Sequence, residues 1–314
     1  MSIADAVIRP LYLMTEQRHD LRGLTVRDWL LRAMAGLSRT QTRAARISFE
    51  SANQRPEFLS ISRLPAMIDR YAAGPRRWDK RRPADKVAGR AIEVFKSVRD
   101  YLPGDPAETR AIELACGDGR VAMHLARQFR SVTGIDLSDE NFADEARSSV
   151  EIRLEDAARL SADDGSADLL YSFDAFEHFT DPAAVLDEAY RVLAPGGVLY
   201  ASFGPLWNSA FGPHQWGRID VPYLHHLFRA ADLDHFSDTT GRRRLTPNVN
   251  RLPLAYFRDL FSLRDHRFKR VSYVEKMNVS FVDLIDQHPS CFRTKTNEFD
   301  ELCVRSIEVV LKKR

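Results

Sequence analysis

Ala111-Ile-Glu-Leu-Ala-Cys-Gly-Asp-Gly-Arg120 is the stretch on which the reading of the whole chain turns. Its first four residues read as a buried strand. The chain then breaks on two glycines and enters a helix, with Val121, Leu125 and Phe129 at helical spacing. Gly117 and Gly119 lack a Cβ, so the backbone can turn tightly there and approach a ligand. The unpaired N–H groups of the following helix open toward the same point. Seventeen residues after Gly119, Asp136 closes a second apolar run, Val132-Thr-Gly-Ile-Asp136. An acid at that strand end can accept hydrogen bonds from ribose hydroxyls. The pattern predicts an adenosine-bearing cofactor. Gly117-x-Gly119-x-x-Ala122 also satisfies a loose dinucleotide fingerprint, so spacing alone leaves a nicotinamide enzyme open.

Two further features narrow the choice. Glu113 stands at the end of the first strand, and Arg191-Val-Leu-Ala-Pro-Gly-Gly-Val-Leu-Tyr200 follows farther on. At these residues the chain resembles the class I S-adenosylmethionine-dependent methyltransferases, in particular the small-molecule type of the methyltransferase-11 kind. Their first motif runs acid-x-Gly-x-Gly-x-Gly. Here it is Glu113-x-Ala115-x-Gly117-x-Gly119, with alanine replacing the first glycine. The resemblance covers roughly residues 111–203 and implies S-adenosyl-L-methionine as cofactor. By that resemblance Ala115, Cys116, Gly117 and Gly119 line its methionine portion, and Asp136 holds the ribose. Leu137 packs on adenine, Asp156 accepts from the exocyclic amine with Ala157 beside it, and Glu113 orients the turn. Phe173 ends the fourth strand on the same edge, where ligands of such sheets bind.

From 111 onward strands and helices alternate, which predicts an α/β fold with a doubly wound, mainly parallel sheet. Strands are expected at 111–115, 131–136, 150–154, 168–173 and 198–203. Helices are expected to about 129, over 138–147, and over 182–193, where Pro182 suits a first turn. Strands six and seven are expected at 268–276 and 303–311. The resemblance implies a seven-stranded Rossmann-like sheet with the last strand antiparallel beside the fifth. Residues 204–262 are long and aromatic for a crossover and read as a cap insertion over the site. Residues 278–302 form a further excursion. The expected organisation is therefore a basic helical extension over 1–85 and a methyltransferase domain over 86–314.

A hydroxyl acceptor needs a general base, and histidine suits that role near neutral pH. His178, after strand four, and His214, in the expected cap, are the candidates. Trp207, Trp216 and Tyr223 form either an aromatic acceptor pocket or the cap's own core. His225-His226 with Asp232 and Asp234 has no metal-ligand spacing, so no metal is expected. Asp174-Ala-Phe stands where amino-directed adenine methylation would show Asn/Asp-Pro-Pro-Tyr/Phe, and no Pro-Cys pair of cytosine-carbon methylation is present.

The formal net charge of +2 is unevenly spread: residues 1–90 hold 18 Lys+Arg against 9 Asp+Glu, and the remainder 28 against 35. The basic run Gly74-Pro-Arg-Arg-Trp-Asp-Lys-Arg-Arg82 reads as a linker or an arm that touches phosphate. Three substrate readings therefore stand: a small molecule methylated at oxygen, RNA or another polyanion docked on the Arg-rich N-terminus, and a binding module without turnover. Three cysteines make no disulfide framework, which points to a reducing cytoplasm. No run reaches the ~18 apolar residues of a spanning helix. The N-terminal helices offer a homodimer arm.

Overall fold

The computed structural model describes residues 26–72, 83–214, 218–262 and 267–314. In chain order the helices are α1 (Val26–Ser51), α2 (Leu64–Ala72), α3 (Pro83–Val98), α4 (Arg120–Leu125), α5 (Asp144–Arg147), α6 (Pro182–Val192), α7 (Leu224–Leu227), α8 (Ala230–Thr240), α9 (Leu254–Leu260), α10 (Val282–Gln287), α11 (Pro289–Arg293) and α12 (Phe299–Cys303). The strands are β1 (Arg110–Leu114), β2 (Ser131–Asp136), β3 (Glu151–Leu154), β4 (Ala167–Phe173), β5 (Leu193–Phe203), β6 (Phe268–Met277) and β7 (Val304–Lys313).

All seven strands form one sheet in the order β3-β2-β1-β4-β5-β7-β6. Strands β1 to β5 run parallel, and β7 enters antiparallel between β5 and β6. The expected seven-stranded Rossmann-like sheet is thus the observed one. Period-two burial builds two cores from the same strands. Ile112, Leu114, Leu199, Ala201 and Phe203 face α6 and α9, where they meet Val185, Leu186, Ala189 and Phe257. Ala111, Tyr171, Val198 and Tyr200 face α3 and α4, where they meet Val87, Val94, Val121 and Leu125. Both faces are buried, as a crossover-built sheet requires.

Two helices are shorter than the sequence predicts. The helix expected over 138–147 begins only at Asp144. Asp136 draws the amides of Leu137 and Ser138 onto its own carboxylate, and Phe142 N–H turns back to Asp139 O at 3.2 Å. These local bonds compete with a helix. The helix after the glycine turn ends at Leu125, and turn bonds from Gln128 and Phe129 to Leu125 O carry the chain onward.

The chain separates into two compact units. The sheet unit holds the described residues 83–214, 248–262, 267–277 and 304–314. The other gathers 26–72, 218–247 and 278–303. This differs from a continuous domain over 86–314 with one cap over 204–262. Only 204–214 and 248–262 of that segment stay with the sheet unit, whereas 218–247 and 278–303 join α1 and α2. Specific bonds explain the sorting. Leu59 N–H donates to Leu227 O at 2.8 Å, Tyr223 O–H donates to Leu302 O at 2.8 Å, and Arg46 pairs with Asp300 at 2.7 Å. Phe49 and Phe299 meet edge to face in the interior of this unit. Among the described residues no helix is long and apolar enough to cross a membrane, and the three cysteines are free and buried.

Candidate active site

Parallel pairing aligns the carboxyl ends of β1, β2, β4 and β5 along one edge. The turn after β1 bends through left-handed backbone at Ala115 (φ 55°), Gly117 (φ 58°) and Gly119 (φ 74°). Alanine in place of the family glycine therefore sits in a conformation that costs an L-residue about 1–2 kcal/mol. A Cβ on Gly117 would meet open space, whereas one on Gly119 would lie 3.0 Å from the Ala146 side chain and 3.3 Å from that of Ile152. Gly117 thus leaves room for a ligand, and Gly119 leaves room for the packing of α5 and β3.

Asp136 ties the two strand ends together. Its Oδ2 accepts from Gly117 N–H and its Oδ1 from Leu137 N–H, both at 2.8 Å. A carboxylate has about four acceptor positions, so acceptor capacity is left for ribose hydroxyls. Leu137 follows with its side chain 77% exposed, an apolar surface ready for a flat base. Asp156 is exposed and accepts from Ala158 N–H at 2.9 Å, which fixes the turn after β3. Ala157 beside it is buried among the residues under the sheet. These residues fit S-adenosylmethionine: a strained open turn, an acid with spare acceptor capacity at the end of β2, an exposed leucine and a second acid in sequence order.

Two of the expected cofactor residues have buried side chains. Cys116 is buried, and its sulfur fills the space over Gly134, where a Cβ would come within 2.8 Å of it. Burial pushes its thiol well above the ordinary range. Glu113 is 3% exposed and accepts from Tyr171 O–H at 3.2 Å. Burial raises its carboxyl to about 8, against the lowering effect of the Tyr171 bond and of a backbone bond from Ala122 at the start of α4. It thereby links β1, β4 and α4 below the turn.

The segment after β4 forms the other end of the site. Phe173 packs on Tyr200, and the Arg90 guanidinium lies 5.3 Å from its ring centre. Arg90 also pairs with Asp174, which itself stands in left-handed backbone at φ 48°. The sequence reading missed Arg90, because nothing local links α3 to a residue 84 positions away. Asn250 clamps the segment by donating to the carbonyls of Phe176 and Phe179 at 2.8 and 3.0 Å.

The structure brings His178 and His214 together, edge to face, with ring centres 5.0 Å apart. His178 Nδ1 lies 2.8 Å from Asn248 O, and His214 Nε2 lies 3.0 Å from Pro205 O. A carbonyl only accepts, so both nitrogens carry hydrogen and the lone pairs fall on His178 Nε2 and His214 Nδ1. Burial lowers His214 to about 4, and it is neutral at physiological pH. Beneath them Glu177 is 1% exposed, accepts from Gly204 N–H at 2.9 Å, and is raised by burial to about 7. One ligand atom each of Glu177, His178 and His214 lies within 4.8 Å of the others. Local spacing does not reveal this cluster, because its third member is 36 residues from the second.

The aromatic candidates divide. Trp207 is half-buried, with the Arg251 guanidinium 4.8 Å from its ring centre. Trp216 lies outside the described residues. Tyr223 is fully buried, bonded to Leu302 O and packed on Phe292, so it belongs to the core of its own unit and not to an acceptor pocket. The basic run at 74–82 also lies outside the described residues.

Residues 112–201 match the family model described as a methyltransferase domain. A ubiquinone biosynthesis O-methyltransferase of Psychrobacter cryohalolentis is 30% identical over 121 residues, covering 33% of this chain and 47% of that protein. A probable S-adenosylmethionine-dependent methyltransferase of Mycolicibacterium smegmatis is 32% identical over 138 residues, covering 41% and 53%. The chain spans about half the length of the curated relatives it matches. Among solved structures, the PH0226 protein of Pyrococcus horikoshii aligns with a TM-score of 0.45 at 20% identity, over 78% of this chain and 99% of that one. The glycine turn and the acid at Asp136 lie within the matched stretch and the strand order agrees with it: residues 112–201 carry a methyltransferase domain of the class I S-adenosylmethionine-dependent kind.

Proposed function

We propose that the chain transfers a methyl group from S-adenosylmethionine to an oxygen of a small-molecule acceptor. The observation that carries this reading is the pair of carbonyl-fixed imidazoles, His178 and His214, beyond the carboxyl ends of β4 and β5. When bound, the cofactor supplies an already activated sulfonium methyl group for direct displacement. The chain's own contribution is alignment and proton handling. Residues 115–119 and Asp136 would hold the cofactor, with Leu137 and Asp156 at the base and Ala157 beneath. Glu113 and Tyr171 keep the turn in shape. His178 and His214 receive the acceptor hydroxyl, and a lone-pair nitrogen of the pair takes its proton. Phe173 and Trp207 are the aromatic surfaces in the same unit against which an acceptor ring would stack. Oxygen as the acceptor atom is supported by the O-methyltransferase names among the relatives.

The test is formation of S-adenosylhomocysteine with a panel of phenols and enols. Alanine at His178 or His214 is expected to lower kcat on the order of 100-fold. Affinity for S-adenosylhomocysteine should stay within roughly threefold, below about 0.7 kcal/mol. Unchanged turnover in both variants would remove the histidines from the chemistry.

A further inference from the structure

We propose that Glu177, His178 and His214 form a site for a divalent transition-metal ion. The proposal deepens the acceptor-site reading and, for its catalytic purpose, rests on it. In this site the lone pairs of the imidazoles are spent on an ion in place of the acceptor proton; the ion would bind the acceptor oxygen and acidify its hydroxyl, whose proton then leaves to solvent water.

Geometry comes first. One potential ligand atom of each side chain lies within 4.8 Å of those of the other two. Ion-to-ligand distances of about 2.0–2.2 Å put tetrahedral donors about 3.3–3.5 Å apart. Closing the difference takes about 1 Å of side-chain rotation, within reach of two half-buried rings on loops. The tautomers come second. Ligating histidines characteristically donate the other ring N–H to a carbonyl, which orients the ring and raises its basicity. Both histidines do so, His178 to Asn248 O and His214 to Pro205 O.

Glu177 supplies the independent observation. Its side chain is 1% exposed, and its Oε1 accepts from Gly204 N–H. Its Oε2 is buried and has no hydrogen-bond partner among the described residues. An orphaned carboxylate oxygen in the interior is costly, and a cation is one of the few things that compensates it. Arg90 is close enough to act on Glu177 electrostatically, but its own ion pair is with Asp174. Two imidazoles and one carboxylate suit zinc, cobalt, nickel or ferrous iron better than magnesium or calcium. Three protein ligands also leave coordination positions open, as catalytic sites do and structural zinc sites do not. The acceptor class that fits is a small molecule presenting a phenolic or enolic oxygen.

The experiment uses the full chain, stripped with chelator and dialysed. Cobalt(II) is titrated by its visible d–d bands, and zinc(II) by calorimetry. One equivalent is expected to bind at micromolar affinity or tighter, with bands of a four- or five-coordinate ion. His214→Ala and Glu177→Gln should each weaken binding at least about tenfold. Because the chain carries nine histidines, the comparison with His214→Ala decides the location. Wild type that takes up no cobalt or zinc, or His214→Ala that binds as wild type does, overturns the proposal. S-adenosylhomocysteine binding is measured on the same preparations and doubles as the folding control. Metal uptake without that binding would sink the methyltransferase reading alone, and that binding without metal uptake would sink the metal site alone.

Discussion

Gly119→Val is expected to destabilise the protein by about 2–5 kcal/mol, combining the penalty for a left-handed L-residue with the cost of overpacking. The backbone at Gly119 has φ 74°, and even a Cβ would press on Ala146 at 3.0 Å. A branched side chain adds atoms where Ile152 and Phe142 already stand. Gly117→Val separates folding from binding at the same turn. Its φ of 58° carries the conformational penalty, but its Cβ meets open space. That variant should unfold only slightly earlier than wild type yet bind S-adenosylhomocysteine at least about tenfold more weakly, a loss of about 1.4 kcal/mol. Denaturant unfolding and calorimetry on the two variants check both halves. Equal stability of Gly119→Val and wild type would refute the packing role given to this glycine.

The second large effect is a pH dependence set by Glu113. Its carboxyl rises from an ordinary 4.5 to about 8, chiefly through burial. A carboxyl raised in the folded state favours the protonated form. Its contribution to stability is full below about pH 4.5 and is lost as pH climbs toward about 8. Each tenfold gain in proton affinity on folding corresponds to about 1.4 kcal/mol, so the upper bound is several kcal/mol. Glu113→Gln keeps an acceptor for Tyr171 O–H and has no proton to lose. The unfolding midpoint of wild type should therefore fall relative to Glu113→Gln between about pH 5 and about pH 8.5. A constant difference across that range would show that Glu113 does not titrate as its burial demands.

The sheet was legible because its strands carry their signal locally. Each parallel strand is a short apolar run ending on a turn or an acid, and Glu113 and Asp136 mark the carboxyl ends of their strands by position alone. The glycine spacing and Asp136 needed only knowledge of where strands end. Cys116 was less readable, since a small residue in a turn points either to ligand or to core. Only Gly134 on the neighbouring strand decides which, and the two residues are 18 apart. Tyr223 was ambiguous for the same reason: an aromatic in a loop does not announce that its hydroxyl belongs to Leu302. The assignment of 218–247 and 278–303 to α1 and α2 depends on pairings such as Leu59 with Leu227. Helical periodicity gives the buried face of a helix and says nothing of its partner. Likewise Glu177-His178 was visible as a pair after β4, but His214 joins it only through the chain reversal at 204–214.

The central claim is that the glycine turn and Asp136 bind the cofactor, and calorimetric titration with S-adenosylhomocysteine tests it most directly. Wild type should bind at micromolar affinity. Asp136→Ala removes the expected ribose acceptor and the partner of Gly117 N–H. Its affinity should drop about tenfold or more, about 1.4 kcal/mol. Folded wild-type protein that gives no heat of binding, or an Asp136→Ala variant that binds as tightly as wild type, would contradict the account.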